Sequence, residues 1–320
     1  AMATGDLPAT PDEGASGSGV KSAENPPVAA WLPPPGRSPE NYTAEDLTSV
    51  LQNTFGHKDF RPGQCEAVSS VLARNNTLLL LSTGSGKSLC YQIPAFLLRE
   101  EGLTLVVSPL VSLMSDQLMR LPGCLRGAIV SSQQSRDQSR DVLRAVRARL
   151  VDVLFVSPER LSMWSFDGCG LPPIALACID EAHCVSEWSH NFRPDYLRLH
   201  EFLVGSLGAR RLLALTATAT RPTIKSICEI LKVGTVVRSD RSFTVEDLMA
   251  EASQPKVQRT NLCMNARILP DEDLQVAELI KILKSEEHSR HSVIIYVWRR
   301  ATAEQLSKQL RAHVKGGIRA

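Results

Sequence analysis

The stretch that most constrains the fold is TLLLLSTGSGKSL, residues 77–89, in which an apolar run ends in a glycine-rich turn. Four consecutive leucines ending at Leu81 predict a strand that is buried on both faces of a sheet. Gly84 and Gly86 then let the backbone fold closely around an anion. A helix that begins after the turn directs its backbone N–H groups and the positive end of its dipole at the same place.

The side chains of this turn point to phosphate chemistry. Lys87 supplies a mobile positive charge, and Ser88 offers a hydroxyl to magnesium. The strict spacing of such turns asks for a glycine where the chain has Leu81, but the core TGSGKS remains distinctive between a strand and a helix. A glycine turn without a ligand is the alternative. We interpret as a nucleotide-phosphate site the residues Thr83, Gly84, Ser85, Gly86, Lys87 and Ser88.

Composition sets the class of protein. A length of 320 residues with 43% hydrophobic residues suits one large globular domain or about two. The apolar runs are shorter than the roughly 20 residues of a membrane span, and the first residues lack the pattern of a signal peptide, so we expect no membrane or secreted protein. Eight cysteines without a CxxC pair favour reduced thiols in a cytosolic or nuclear protein and no zinc site.

Charge is unevenly distributed along the chain. Residues 1–48 hold seven acidic and two basic residues, a net charge of −5. Because the whole chain has a net charge of +2, the residues after 48 carry about +7. This mildly basic remainder is compatible with a nucleic-acid partner. Residues 1–40 are rich in Pro, Gly, Ser and Ala and are predicted to be disordered.

The middle of the chain predicts an α/β fold. Short apolar strands alternate there with helical patterns, which indicates a parallel sheet wrapped by helices, with ligands beyond the carboxyl ends of the strands. After the strand at Thr77 we predict strands at 103–108, 127–131, 152–157, 174–180 and 211–216. The helix after the third strand carries five arginines, which we interpret as a solvated face, with a nucleic-acid patch as the alternative. They are Arg136, Arg140, Arg144, Arg147 and Arg149.

Further elements flank this alternation. A helix is predicted after the N-cap Thr43, and a second from Pro62. Residues 240–258 break the pattern and predict a linker or an insertion. A second unit follows, with helices at 271–284 and 301–313 on either side of the strand SVIIYV, residues 292–297. These elements cannot bury a core alone, so we expect this second unit to be incomplete.

Two further motifs lie at strand ends. In ACIDEAHC, residues 177–184, an apolar strand ends in Asp180 and Glu181. Downstream of a phosphate-binding turn, such an Asp holds magnesium and the Glu orients and deprotonates water, whereas a surface carboxylate pair is the alternative. His183 is a candidate relay to the neighbouring loops. In LTATAT, Thr216 and Thr218 place hydroxyls where they can hydrogen-bond the segment from Asp180 to His183.

In this order TGSGKS, DEAH and TATAT resemble motifs I, II and III of superfamily 2 helicases, and two further stretches resemble the RecQ family. LQNTFGHKDFRPGQ, residues 51–64, is similar to the motif 0 of that family. The resemblance implies that Gln64 reads the adenine edge, that Arg61 lies beside it and that His57 stacks on the base. His57 stands where a tyrosine is often found, so weaker stacking is expected.

VSEWSHNFRPDYLRL, residues 185–199, resembles the aromatic-rich loop that couples DNA to ATP hydrolysis in this family. An aromatic ring stacks an unpaired base at ~1–3 kcal/mol, and a guanidinium meets phosphate. For Phe192 and the nearby Tyr196, core packing is the alternative. The residues implied in DNA sensing are Trp188, His190, Phe192 and Arg193.

Two stretches are similar to motifs Ia and Ib, residues 105–118 and 154–161. The resemblance implies that their polar side chains face the backbone of a DNA strand. These side chains belong to Ser108, Ser112, Gln117, Ser157 and Glu159. WSHNFRP together with ACIDEAHC suggests the fourth RecQ-like branch of animals.

The resemblance implies a first RecA-like lobe over residues 41–239, a linker over 240–258 and, over 259–320, a second lobe that reaches a sequence similar to motif IV. Motifs V and VI are expected beyond it, so the chain is expected to be truncated within the second lobe. The arginines of motif VI would contribute about 10³–10⁵ in rate. Binding can therefore persist where coupled turnover cannot.

The implied function is that of an ATP-dependent 3′ to 5′ DNA helicase, acting in replication, recombination or repair. ATP and Mg²⁺ are the implied cofactors, and Lys87, Asp180 and Glu181 the catalytic residues, with Ser88 and Asp180 on the metal. Single-stranded DNA and duplex junctions are the implied partners, without a membrane, and the nucleus the location, with the cytoplasm as the alternative. Two rivals remain, a module that binds ATP and single-stranded DNA without unwinding and a P-loop ATPase without a nucleic-acid substrate.

Overall fold

Two compact units make up the chain, Ala1–Gln254 and Pro255–Ala320. The computed structural model describes residues 20–21, 37–162, 170–186, 194–239, 241–250, 263, 265–285 and 292–313. Within these ranges, every helix is too short or too polar to cross a bilayer.

The first unit is built on one sheet, with nine strands among the described residues, in the order β1-β4-β5-β3-β6-β7-β2-β8-β9. The edge strands β1 and β9 run antiparallel to their neighbours, and the seven strands between them are parallel. This arrangement confirms the predicted α/β class. The strands are β1 (Val20–Lys21), β2 (Thr77–Leu80), β3 (Leu103–Val107), β4 (Gly127–Val130), β5 (Val153–Val156), β6 (Ile174–Ile179), β7 (Leu212–Thr216), β8 (Thr235–Arg238) and β9 (Ser242–Thr244).

Helices cover both faces of this sheet. Successive residues of β2 show it, because Leu78 belongs to one buried apolar cluster and Leu79 to the other. Strands buried on both faces read as continuous apolar runs, which is why six strands were predictable from sequence. The helices of the first unit are α1 (Ala44–Asn53), α2 (Gln64–Leu72), α3 (Leu89–Leu97), α4 (Val111–Met119), α5 (Arg136–Arg147), α6 (Pro158–Ser162), α7 (Arg221–Leu231) and α8 (Val245–Ala250).

The sequence predicts where α1 begins, but not where α2 begins. Thr43 caps α1 as predicted: its hydroxyl accepts from the Asp46 backbone N–H at 3.2 Å, and the Asp46 carboxylate accepts from the Thr43 N–H at 2.8 Å. The prediction that α2 begins at Pro62 is wrong by two residues. Gly63 has φ +85°, so the chain turns through a left-handed residue before the helix begins at Gln64.

Two segments are more ordered than the sequence predicts. Ser242–Thr244 and Val245–Ala250, inside the stretch interpreted as a linker, form β9 and α8, and β9 extends the sheet by pairing with β8. In the tail predicted to be disordered, Val20–Lys21 pair with β4, and Pro39–Asn41 form a 3-10 helix. Most of that tail lies outside the described residues. Both segments are short, with little apolar periodicity to reveal them.

The second unit contains the two predicted helices, α9 (Glu272–Lys284) and α10 (Arg300–His313). The predicted strand at 292–297 is not formed. Most of its side chains are exposed, with Ile294 at 76% and Tyr296 at 90% exposure. A strand needs a neighbour to satisfy its backbone, and the described residues of this unit supply none.

Candidate functional site

Four neighbouring strands bring the sequence motifs to one edge of the sheet. Their order is β3-β6-β7-β2, so the carboxyl ends of all four meet side by side. The N–H of Leu81, just after β2, donates to the Thr216 carbonyl at 3.3 Å, and the N–H of Asp180, just after β6, donates to the Val107 carbonyl at 2.8 Å. The turn, the acidic motif and the threonine motif therefore lie together.

The glycine-rich turn has the backbone that its sequence predicts. Gly84 and Gly86 have φ values of +81° and +77°, in the left-handed region that favours glycine. Lys87 is half-buried, and its Nζ donates to the Leu81 carbonyl at 3.1 Å and to the Ser82 carbonyl at 3.4 Å. The lysine is thus folded over the turn. Ser88 is the N-cap residue of α3.

The residues similar to motif 0 dock onto this same turn. Arg61 donates from its guanidinium to the Gly84 carbonyl. Gln64 is 2% exposed, and its Nε2 donates at 3.0 Å to each of the Ser85 and Gly86 carbonyls. Its Oε1 accepts from the Arg61 backbone N–H at 2.8 Å. Two of the predicted adenine residues, Arg61 and Gln64, thus form one hydrogen-bonded unit with the predicted phosphate turn.

His57 lies after α1, in the loop that leads to Arg61, and it is exposed. Its backbone N–H donates to the Leu51 carbonyl at 3.2 Å, which fixes this loop on the end of α1. The imidazole is therefore accessible to a ligand. Its stacking on a base stays a prediction.

Asp180 is the buried acid of the site, at 5% exposure. Its Oδ1 accepts from the Glu181 N–H at 2.9 Å, and its Oδ2 accepts from Gln117 Nε2 at 2.7 Å. Burial raises the pKa of this carboxyl, and the Gln117 hydrogen bond opposes the rise. The positive charge of Lys87 also lowers the pKa of Asp180. The turn and the acid therefore share one electrostatic environment.

Glu181 adopts a left-handed conformation with φ +50° and ψ +46°, rare for a residue with a Cβ. Such strain concentrates at functional positions. Its Oε2 lies 3.2 Å from His183 Nδ1, and this hydrogen bond, with the charge of Lys87, lowers the pKa of Glu181. The carboxylate form suits a residue that orients water and accepts its proton.

His183 connects the acidic motif to β7, as the sequence predicts. Its Nδ1 lies 3.2 Å from the Thr216 hydroxyl, and that hydroxyl donates to the Thr218 carbonyl at 3.1 Å. Hydrogen bonds with the Cys184 side chain and then with Glu181 raise the pKa of His183 to about 9. The imidazole is therefore protonated at neutral pH. Thr218 takes part in this hydrogen-bond network through its backbone carbonyl, which accepts from the Thr216 hydroxyl.

Gln117 and Tyr91 form a part of the site that the motifs did not predict. The Tyr91 hydroxyl donates to Gln117 Oε1 at 3.1 Å, and the Gln117 amide donates in turn to Asp180. In this structure the Gln117 amide points at the acid, and the expectation that this side chain faces a DNA strand stays a prediction. No sequence signal reveals the contact with the acid, because Gln117 and Asp180 are far apart in the chain.

The remaining polar residues of the Ia-like and Ib-like stretches divide by exposure. Ser108 and Ser157 are 0% and 2% exposed, so the expectation that their side chains face a strand is corrected. Ser112 is exposed and Glu159 is half-buried, and for these two the expectation stays a prediction. Tyr196 is fully buried, which supports core packing. Outside the described residues lie Trp188, His190, Phe192 and Arg193.

The donor set fits magnesium. Asp180 and Ser88 offer hard oxygen ligands, and Mg²⁺ is commonly bound through one or two carboxylates together with substrate phosphates. Among the residues that the structure describes, no group of three or more His, Cys, Asp or Glu side chains forms a metal cage. A metal held largely by phosphate is consistent with that composition.

Comparison with known sequences gives one family and several curated relatives. The sequence model of the DEAD/DEAH box helicases matches residues 61–227. ATP-dependent DNA helicase Q4 of Homo sapiens is 42% identical over 88% of this chain and 22% of its own length. ATP-dependent DNA helicase Q-like 5 of Arabidopsis thaliana is 48% identical over 59% of the chain and 21% of its length. The probable ATP-dependent DNA helicase RecS of Bacillus subtilis is 35% identical over 83% of the chain and 50% of its length.

Solved structures agree on the fold. The DUF1998 helicase MrfA bound to DNA aligns with 93% of this chain and 42% of its own, with a TM-score of 0.58 and 16% identity. Mycobacterium smegmatis helicase Lhr bound to single-stranded DNA and AMP-PNP aligns with 88% of this chain and 38% of its own, with a TM-score of 0.56 and 20% identity. At such identities the likeness to solved structures shows the architecture alone. The chain spans only about a fifth to a half of the length of the curated relatives named above.

Proposed function

Because the chain belongs to the DEAD/DEAH box helicases, and within them to the RecQ helicases, we propose that it forms the ATP-binding part of an ATP-dependent 3′ to 5′ DNA helicase. The whole protein would couple ATP hydrolysis to movement along DNA and to unwinding. The substrate class follows the names of its relatives, which are DNA helicases.

One observation carries the proposal: the glycine-rich turn and the acidic motif are parts of one site. The backbone of the turn is tied to the threonine motif through the Leu81 N–H, and the Thr216 hydroxyl lies 3.2 Å from His183 Nδ1 of the acidic motif. The positive charge of Lys87 also lowers the pKa of Asp180 and of Glu181. Phosphoryl transfer needs a cation on the phosphates, a metal between them and a residue that positions water. The site offers a side chain for each of these three tasks.

We assign roles on that basis. Lys87 and the backbone of residues 83–88 would bind the phosphates, Ser88 and Asp180 would hold Mg²⁺, and Glu181 would orient the attacking water. When bound, the metal would neutralise charge that develops on the phosphate oxygens. The protonated His183 holds the Glu181 carboxylate from the side of β7, so that this carboxylate has a fixed partner before water arrives.

Adenine recognition is the proposed role of His57, Arg61 and Gln64. The exposed ring of His57 would stack on the base, and the Gln64 amide would read its edge. In this structure both Gln64 donor hydrogens are used on the turn. Contact with adenine would therefore exchange at least one of these bonds, which connects base recognition with the conformation of the phosphate turn.

DNA sensing and cellular role complete the proposal. Stacking and phosphate contacts would come from the segment around Trp188, and the single strand and duplex junctions would be the substrates. Action in replication, recombination or repair inside the nucleus suits such substrates. The mildly basic charge of the chain after residue 48 supports a nucleic-acid partner.

Steady-state ATP hydrolysis by the 320-residue chain, with and without single-stranded DNA, tests this function. We expect DNA to stimulate any turnover that the chain supports, and Glu181→Gln to lower that turnover by at least about 10²-fold, because the water loses its base. An exposed carboxylate on α7 gives the control, and Glu229→Gln should keep the wild-type rate.

Other outcomes point to the rivals. Nucleotide and DNA binding without turnover in the wild-type chain would support the binding module. Turnover that DNA leaves unchanged would support a P-loop ATPase that acts on another substrate. Turnover unaffected by Glu181→Gln would contradict the assigned base.

A further inference from the structure

The side-chain amide of Gln117 lies between two buried groups from different parts of the fold. It belongs to α4, and it accepts from the Tyr91 hydroxyl of α3 at 3.1 Å while donating to Asp180 Oδ2 at 2.7 Å. A row of hydrogen bonds thus runs from the helix after the phosphate turn, through α4, to the acid after β6. The row joins three elements at the edge where the site lies.

The chemistry of its partners fixes the orientation of this amide. An ionised carboxylate only accepts hydrogen bonds, so the NH₂ group of Gln117 must face Asp180. The carbonyl oxygen then faces Tyr91, whose hydroxyl can donate to it. A flipped amide would set two acceptors against each other at the acid, so Gln117 is held in one orientation.

Both oxygens of Asp180 have a fixed protein donor. The Glu181 N–H binds Oδ1 and the Gln117 amide binds Oδ2, so the carboxylate cannot rotate freely about χ2. A carboxylate has about four lone-pair sites, and these two bonds leave others for a cation. Hydrogen bonds from outside the coordination sphere commonly fix the orientation of a metal-binding carboxylate in this way.

Tyr91 extends the row towards the phosphate turn. Its side chain is fully buried, and its hydroxyl donates to Gln117 Oε1 at 3.1 Å. The backbone N–H of Tyr91 also donates to the Ser88 carbonyl at 3.2 Å. Tyr91 therefore contacts the second candidate metal ligand as well as the residue that holds the first.

We propose that Gln117 is a positioning residue that holds the Asp180 carboxylate in its metal-binding orientation and is itself aligned by Tyr91. This inference rests on the proposed function, because it concerns the Mg²⁺ of the nucleotide site. It assigns Gln117 to the metal site, where the resemblance had assigned it to DNA. Loss of the amide should weaken metal binding more than nucleotide binding itself.

The test measures Mg²⁺ affinity without relying on turnover. A fluorescent ADP analogue is bound to the 320-residue chain in EDTA and then over a range of MgCl₂ concentrations. For Gln117→Ala we expect the half-saturating Mg²⁺ concentration to rise about tenfold, as is typical for loss of an outer-shell partner. The affinity for the analogue in EDTA should stay within twofold of wild type.

Two further variants sharpen the test. Tyr91→Phe removes one oxygen and keeps the ring, so it should raise the half-saturating Mg²⁺ concentration in the same direction by a smaller factor, and it serves if Gln117→Ala fails to fold. The double variant should be no worse than Gln117→Ala alone, because both changes break one row of bonds. Asp116→Ala, on the same helix but with an exposed carboxylate paired to Arg120, should behave like wild type.

The outcomes separate this inference from the proposed function. If the wild-type chain binds the analogue with a clear Mg²⁺ dependence and both Gln117→Ala and Tyr91→Phe leave it unchanged, the positioning role is wrong and the nucleotide site stands. Equal weakening of binding in EDTA and in Mg²⁺ would also overturn the role, because it would indicate a packing defect. Absence of any nucleotide binding by the wild-type chain would overturn the proposed function itself.

Discussion

The side-chain amide of Gln64 is hydrogen-bonded to other residues of the same chain through both its nitrogen and its oxygen. Both Nε2 hydrogens go to carbonyls of the phosphate turn, and Oε1 accepts from the Arg61 N–H. A buried amide with all of these bonds is costly to displace, since each lost partner leaves a desolvated polar group. The turn therefore depends on a residue that the resemblance connects only with the base.

The two glycines of the turn allow a matched comparison at this scale. A Cβ on Gly84 would have no neighbour within 4 Å, whereas a Cβ on Gly86 would lie 2.7 Å from Gln64 Nε2. Both have positive φ, so alanine costs about 1 kcal/mol at either position from the backbone. Gly86→Ala should lower the free energy of unfolding by about 1–2 kcal/mol more than Gly84→Ala, because it also displaces the amide.

Urea denaturation of the two variants measures this difference. In a Gln64→Ala background the extra cost of Gly86→Ala should disappear, since the displaced amide is gone. Equal losses for the two glycine variants in the wild-type background would show that the Gln64 contact does not stabilise the turn.

Residue contacts were predictable only in part. The Thr216 hydroxyl was expected at the acidic motif and lies 3.2 Å from His183, because β7 ends at Thr216 beside the end of β6. The contact of Gln117 with Asp180 was missed. It depends on how α4 packs against β4 and β5, and that packing leaves no pattern in the local sequence.

At the scale of elements, strands buried on both faces position the site. β2, β6 and β7 were predictable because each is a continuous apolar run, and their neighbouring order brings three motifs together. β9 was not predictable, because it is short and only its Phe243 is buried. The prediction of a strand at 292–297 is wrong for a different reason. The composition of this segment favours a strand, but the described second unit offers no partner strand.

The capping box of α1 carries a prediction at this scale. The Thr43 hydroxyl accepts from the third backbone N–H of the helix, and α1 buries Leu47, Val50 and Leu51. Thr43→Ala should therefore lower the free energy of unfolding by about 1 kcal/mol. Thr48→Ala lies inside the same helix, where alanine has the better propensity, and should be neutral or slightly stabilising.

Thermal or urea denaturation of both threonine variants checks this. The comparison holds residue type and helix constant and varies only the position. A loss for Thr48→Ala equal to that for Thr43→Ala would show that general packing, and not the cap, fixes the start of α1.

At the scale of the whole molecule, the described first unit supplies every nucleotide contact that we assign. It contains the phosphate turn, the acids, the threonine motif and the motif 0 residues, whereas the described second unit consists of two helices without a sheet. Sequence patterns predicted much of this imbalance, because they placed six apolar strands in the first 240 residues and only the strand at 292–297, which is not formed, after them. Nucleotide binding is thus a more direct test of the assigned site than coupled unwinding.

The most direct measurement is the dissociation constant of a fluorescent Mg²⁺–ADP analogue for wild type, Lys87→Ala and Lys225→Ala. A charged hydrogen bond contributes about 1.5–3 kcal/mol, so Lys87→Ala should weaken binding about 10- to 100-fold. Lys225 is exposed on α7 and pairs with Glu229, and its alanine variant should bind like wild type. Equal affinity of wild type and Lys87→Ala would place the nucleotide elsewhere and contradict the assigned site.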